Sequence, residues 1–133
     1  MGKASWTILG SLKVAELVFG AETTMLNLRH AIAELPGAPG WRSNFDLLLI
    51  IDDLATLETF TPQSMKDHQV FMRGWNERYR QGHSPKTALV CADDLKRIIP
   101  ELWSAMTREG WKTKIEVFTN RAEALAWLAE DQA

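Results

Sequence analysis

The sequence predicts an α/β fold: one domain over residues 1–133, built on a mixed, mostly parallel five-stranded sheet with an N-terminal β-hairpin and about four helices. Three observations carry this. The chain has 133 residues, 46% of them hydrophobic and 24% charged, which is the size and balance of one soluble domain and not of a disordered chain. After an opening pair of strand-like runs, short apolar segments alternate with amphipathic helical ones in the order ββαβαβαβα, and such alternation implies parallel strands joined by right-handed crossovers. The run Leu47-Leu48-Leu49-Ile50-Ile51 is apolar without alternation, as expected of a strand covered on both faces.

The elements follow in order. Thr7-Ile8-Leu9 reads as a short strand, and Gly10-Ser11 as a two-residue hairpin turn in which glycine supplies a positive φ. The return strand runs from Leu12 to Phe19, with Ala15, Leu17 and Phe19 on one face and Glu16 on the other. Thr23 or Thr24 caps a first helix whose Met25, Leu28, Ile32 and Leu35 recur at helical spacing, and Pro36-Gly37-Ala38-Pro39-Gly40 stops it. Phe45 to Ile51 forms the central strand, with Asp52-Asp53 at its end. Thr61-Pro62 combines an N-cap with proline at the first helical position and starts a second helix reaching about Gln81, ended by Gly82. Thr87 to Ala92 is the next strand, followed by Asp93-Asp94. A third helical region runs to Glu109, with a break at Pro100 and Gly110 as its C-cap. Lys114 to Phe118 is the last strand, and Asn120 with Glu123 reads as a capping box opening a final helix.

Several function classes are excluded or disfavoured at this level. A formal charge of −2 does not suit a basic nucleic-acid surface, and a single cysteine, Cys91, excludes an internal disulfide framework. No apolar run approaches the roughly 20 residues of a membrane span, and the start of the chain lacks a signal-peptide core. A cytoplasmic protein with a reduced thiol is expected. Gly-x-Ser-x-Gly, Walker and GxGxxG patterns are missing, and no cofactor is indicated.

The C-terminal segment Val117-Phe118-Thr119-Asn120-Arg121-Ala122-Glu123-Ala124-Leu125-Ala126-Trp127-Leu128 resembles the ending of SpoIIAA-like proteins, small bacterial domains of STAS/CRAL-TRIO type. Residues Val14 to Leu35, the strand before Asp52-Asp53 and the strand Ala88-Leu89-Val90-Cys91 agree with that pattern, so the similarity spans about residues 12 to 128. The resemblance implies a mixed sheet flanked by helices, no catalytic residues, and relatives that are either anti-sigma-factor antagonists or lipid-transfer domains. The phosphorylated Asp-Ser-Ser/Thr-Gly segment of antagonists is replaced here by Glu58-Thr59-Phe60-Thr61-Pro62-Gln63-Ser64.

Three constellations remain. Met65, His68, Phe71, Met72, Trp75 and Tyr79 share an arc of roughly 120° on the second helix. That face either packs on the sheet or lines an adaptable apolar pocket with His68 and Tyr79 as polar anchors, and these six residues are the candidate ligand-binding set. Thr61 and Ser64 are helix-capping hydroxyls or phosphorylation sites of a switch, where phosphate would meet the positive end of a helix dipole. Asp52, Asp53, Asp93 and Asp94 are caps and turn residues, or oxygen ligands for Mg²⁺ in an enzyme. The basic group Arg73, Arg78, Arg80, His83 and Lys86 reads as a solvated face at the end of the second helix. Six tryptophans exceed what the core demands, and Trp127 falls away from an Ala122/Leu125/Ala129 stripe, which points to a covered sheet edge or to an interface such as a homodimer's. The expected function is a non-enzymatic binding or regulatory module for an apolar, lipid-like molecule or a protein partner.

Overall fold

The computed structural model describes residues 6–20, 23–52, 60–80, 86–93, 98, 101 and 114–130. It is an α/β structure with strands β1 (Trp6–Leu9), β2 (Val14–Phe19), β3 (Asp46–Ile51), β4 (Lys86–Cys91) and β5 (Lys114–Phe118). Helices α1 (Met25–Glu34), α2 (Pro62–Tyr79) and α3 (Arg121–Ala129) accompany them. The third helical region foreseen before Glu109, with its break at Pro100, lies outside the described residues, save that Ile98 and Glu101 are helical. The five strands lie in chain order, β1 antiparallel to β2 and the other pairs parallel. The sheet is therefore mixed and mostly parallel, as the alternation of segments implied.

Pleating sends alternate side chains to opposite faces. Ala15, Leu17 and Phe19 of β2, Leu47, Leu49 and Ile51 of β3, and Leu89 and Cys91 of β4 point to one core, shared with Met25, Leu28 and Ile32 of α1 and Met65, Met72 and Trp75 of α2. Successive right-handed crossovers that step in one direction place their helices on one side, so α1 and α2 lie together. Helix α3 follows the last strand and closes no crossover. It covers the opposite face, where Ala124 and Leu128 bury against Val14, Leu48, Ala88 and Val90. This corrects the stripe read from sequence: Ala122 and Ala129 are exposed, and the buried spacing is Ala124 to Leu128. Trp127 flanks that stripe and packs on Phe118 of the edge strand β5, ring centroids 5.6 Å apart.

Helix starts are fixed by local chemistry. Thr24 caps α1 in a box with Asn27, each side chain accepting the other's backbone N–H. Its neighbour Thr23 instead accepts from Gly20 N at 3.0 Å and ties off β2. At α3, Asn120 accepts from Glu123 N at 2.9 Å. The hairpin differs from expectation. Gly10–Leu12 form a 3₁₀ turn, and Lys13, not a glycine, takes the left-handed conformation at φ 57° before β2 begins at Val14. The longer loop needs its reversing residue at the far end, so Gly10 at the near end is not used for positive φ. Gly40, at φ 86°, redirects the chain after α1 so that Trp41 returns to the core.

Candidate functional site

Helix α2 begins where Thr61 and Pro62 place it. Thr61 Oγ1 accepts from Ser64 N at 3.1 Å, and Ser64 Oγ accepts from Thr61 N at 2.9 Å while donating to Thr61 O. Both hydroxyls proposed for phosphorylation are thus engaged in the cap. The helix presents its apolar arc to the sheet: Met65, His68, Met72 and Trp75 are buried, and Phe71 and Tyr79 are half-buried against the same core.

His68 is the polar member of that core, 2% exposed. Burial, with the Arg29 guanidinium of α1 as a smaller cause, pushes its pKa from 6.5 down to about 3, so the imidazole is neutral at physiological pH. Its ring lies 6.2 Å from that of Phe71.

Toward the end of α2 the face becomes an aromatic row. The Trp75 ring is 5.9 Å from Trp41 and 5.8 Å from Tyr79, and Arg78 stacks over Tyr79 at 5.2 Å. The buried Nε1 atoms of Trp41 and Trp75 have no hydrogen-bond partner among the described residues. The sequence sets Trp41 beside a glycine at a loop start, as an association-surface candidate, and does not join it to this face, because it lies outside α2 and reaches Trp75 only through the turn after α1.

The basic group corrects a second expectation. Arg73 and Arg78 are exposed, and His83 lies outside the described residues, but Arg80 is 2% and Lys86 8% exposed. Arg80 follows the last helical residue and turns inward: Nη2 donates to Phe45 O and stands 3.7 Å from Asp46 Oδ1, and Cζ sits 5.7 Å from the Trp75 ring centroid. Burial lowers its pKa to about 10 against the opposing pull of Asp46, so it remains a cation at neutral pH. Asp46 Oδ1 also accepts from Lys86 N at 2.9 Å. Lys86 Nζ donates to the carbonyls of Trp127 and Glu130, capping the last turn of α3, and lies 5.2 Å from the Trp127 ring. Charge in the sequence could not reveal this, because a cation at a helix end is usually solvated. Only the convergence of the starts of β3 and β4 with the ends of α2 and α3 buries these two.

Of the four aspartates, Asp52 and Asp93 stand just beyond the adjacent parallel strands β3 and β4, at one sheet edge as expected, and Asp53 and Asp94 lie outside the described residues. Among the described residues no group of three or more His, Cys, Asp or Glu side chains could hold a metal ion. Cys91 is buried in β4. No described helix is long and apolar enough to cross a membrane.

No protein-family model, curated protein or solved structure matches the chain.

Proposed function

We propose that this chain is a non-enzymatic binding module that takes an apolar, lipid-like small molecule against the face of α2. The observation that carries the reading is the pair of buried indole N–H groups of Trp41 and Trp75, without acceptors among the described residues and in the middle of an aromatic row. A buried donor left unpaired costs about 1–3 kcal/mol, and a bound molecule carrying an oxygen would recover part of that. Met65 and Met72 supply thioether surface that adapts to irregular shapes, and His68 adds a neutral polar group. The rival readings have less behind them. The Thr61 and Ser64 hydroxyls hold a cap, and the Mg²⁺ reading rests on two described carboxylates.

The same proposal places the chain with SpoIIAA-like, STAS-type domains, in the cytoplasm, with a fourth helix between β4 and β5. What supports the kinship is the tail resemblance, whose residues form the end of β5, a turn and α3, and strands that follow in chain order. Native mass spectrometry of gently purified protein tests the function. A retained adduct of lipid size, or saturable uptake of decanoic acid or decanol, is expected. A clean apo mass with no uptake of either would defeat the reading.

A homodimer is the second reading, favoured by the contrast between the sheet's edges. Edge strand β5 carries exposed Lys114 and Glu116, whereas Trp6-Thr7-Ile8-Leu9 of β1 has no charge, proline or glycine to deter pairing. Among the described residues β1 bonds only to β2 and, through Trp6 Nε1, to Ala31 O. An uncharged strand can pair with its own two-fold copy without opposing like charges. Sedimentation should show a dimer at high micromolar concentration that Thr7→Lys abolishes; a monomer at that concentration removes this reading.

A further inference from the structure

We propose that the molecule bound at this site is a carboxylic acid, its carboxylate received by the buried guanidinium of Arg80 together with the indole N–H groups of Trp75 and Trp41. This deepens the binding reading given above and rests on it. Arg80 is 2% and Trp75 5% exposed, and the guanidinium carbon lies 5.7 Å from the Trp75 ring, which in turn lies 5.9 Å from that of Trp41. Around this one indole, Arg80 Nε, Arg80 Nη1, Trp75 Nε1 and Trp41 Nε1 are buried donors with no acceptor among the described residues. The remaining guanidinium nitrogen, Nη2, is served by Phe45 O, and its 3.7 Å distance to Asp46 Oδ1 is an ion pair too long for a hydrogen bond.

The guanidinium is also incompletely met by its neighbouring acid. Asp46, the acid beside the guanidinium, already accepts from Lys86 N through the same oxygen that faces Arg80. A negatively charged group with several acceptor lone pairs would serve the guanidinium and both indoles. Buried cations are tolerated when paired and hydrogen-bonded. A water or an alcohol offers an acceptor without the charge, and a phosphate has no apolar remainder for the face of α2. A carboxylate brings one charge and about four acceptor positions. The aromatic and thioether face of α2 then takes the apolar remainder of the acid.

The test compares decanoate, decanol and inorganic phosphate on the whole chain at pH 7.5, reading the rise in melting temperature and the bound mass. Decanoate should bind with one-to-one stoichiometry and at least about 10-fold more tightly than decanol, because a hydrogen bond to a charged group exceeds one to a neutral group by that order. Trp75→Phe keeps the ring and deletes the donor. It should weaken decanoate about 10-fold while leaving decanol affected less. Arg80→Gln should remove the preference for the acid; should that variant fail to fold, the Trp75→Phe comparison decides. Equal binding of decanoate and decanol would overturn the carboxylate assignment and leave the binding reading standing. Phosphate binding as tightly as decanoate would overturn it too. Binding of neither amphiphile would defeat both.

Discussion

Helix α3 closes its side of the sheet with Ala124 and Leu128 on Val14, Leu48, Ala88 and Val90, an apolar interface of small and branched side chains. Helices α1 and α2 close the other side with Leu28, Ile32, Met65 and Met72, but also with a neutral buried histidine and two indoles whose N–H groups lack acceptors among the described residues. Both faces are buried, so hydrophobic burial alone does not distinguish them. What differs is pairing: on the α3 side the buried Lys86 Nζ is held by the Trp127 and Glu130 carbonyls, whereas among the described residues the indole and Arg80 donors without acceptors lie on the α2 side and its lower edge. A face kept only for stability has no reason to bury donors, since each unpaired one opposes folding. Under the proposed binding reading, α2 carries the ligand and α3 serves stability.

That division can be attacked in four ways, of decreasing effect. The junction of the two faces should be the most sensitive point. Asp46→Ala strips the carboxylate from Arg80 and Lys86 N, and an uncompensated buried charge should lower unfolding stability by about 3–5 kcal/mol in urea denaturation. A loss within a few tenths of a kcal/mol would show that the pair is screened and the junction is not shared. Leu128→Ala on the plain face should cost about 3 kcal/mol by the same measurement while leaving decanoate affinity of the folded fraction unchanged. If affinity falls with it, the faces are not independent.

The third test uses pH. His68 has a folded-state pKa of about 3 against 6.5 when unfolded, so below 6.5 the unfolded chain binds a proton that the native chain refuses. The contribution is fully present above pH 6.5 and is lost as pH falls toward 3. Between pH 7 and pH 5 stability should drop by about 2 kcal/mol from this group, and His68→Gln should flatten that part of the profile. An unchanged slope in the variant would mean the imidazole is not held neutral. The smallest effect is expected at the cap. Thr61→Ala should cost about 1 kcal/mol and leave ligand uptake intact, because its hydroxyl serves Ser64 N and not the site. A complete loss of uptake would return Thr61 to a functional role.

Much of the frame was legible in the residues. The strand at 46–51 announced itself by an unbroken apolar run, and α2 by a threonine–proline start and a recurring apolar arc that is indeed its buried side. The hairpin was misread because Gly10 attracts a turn assignment that Lys13 in fact fulfils. The stripe on α3 was misread because alanines fit either face, and only packing on β3 and β4 selects Ala124 over Ala122. At the site, four of the six residues placed on one arc are buried together, but Trp41 and Arg80 were assigned to the surface instead of to that face. One is separated from α2 by a strand and a loop, and the other has the composition of a surface cation.

Periodicity, caps and apolar runs are local, and they determined which segments are strands, where the helices start and which arc of α2 faces inward. Distances across the chain are not local. That Trp41 meets Trp75, that Arg80 and Lys86 lose water around Asp46, and that α3 crosses to the far face were settled only when five strands aligned in register and brought the ends of separate elements together. A side chain's charge and its donors are written in the sequence; whether they are hydrated, paired or left waiting for a partner depends on what the tertiary structure packs against them.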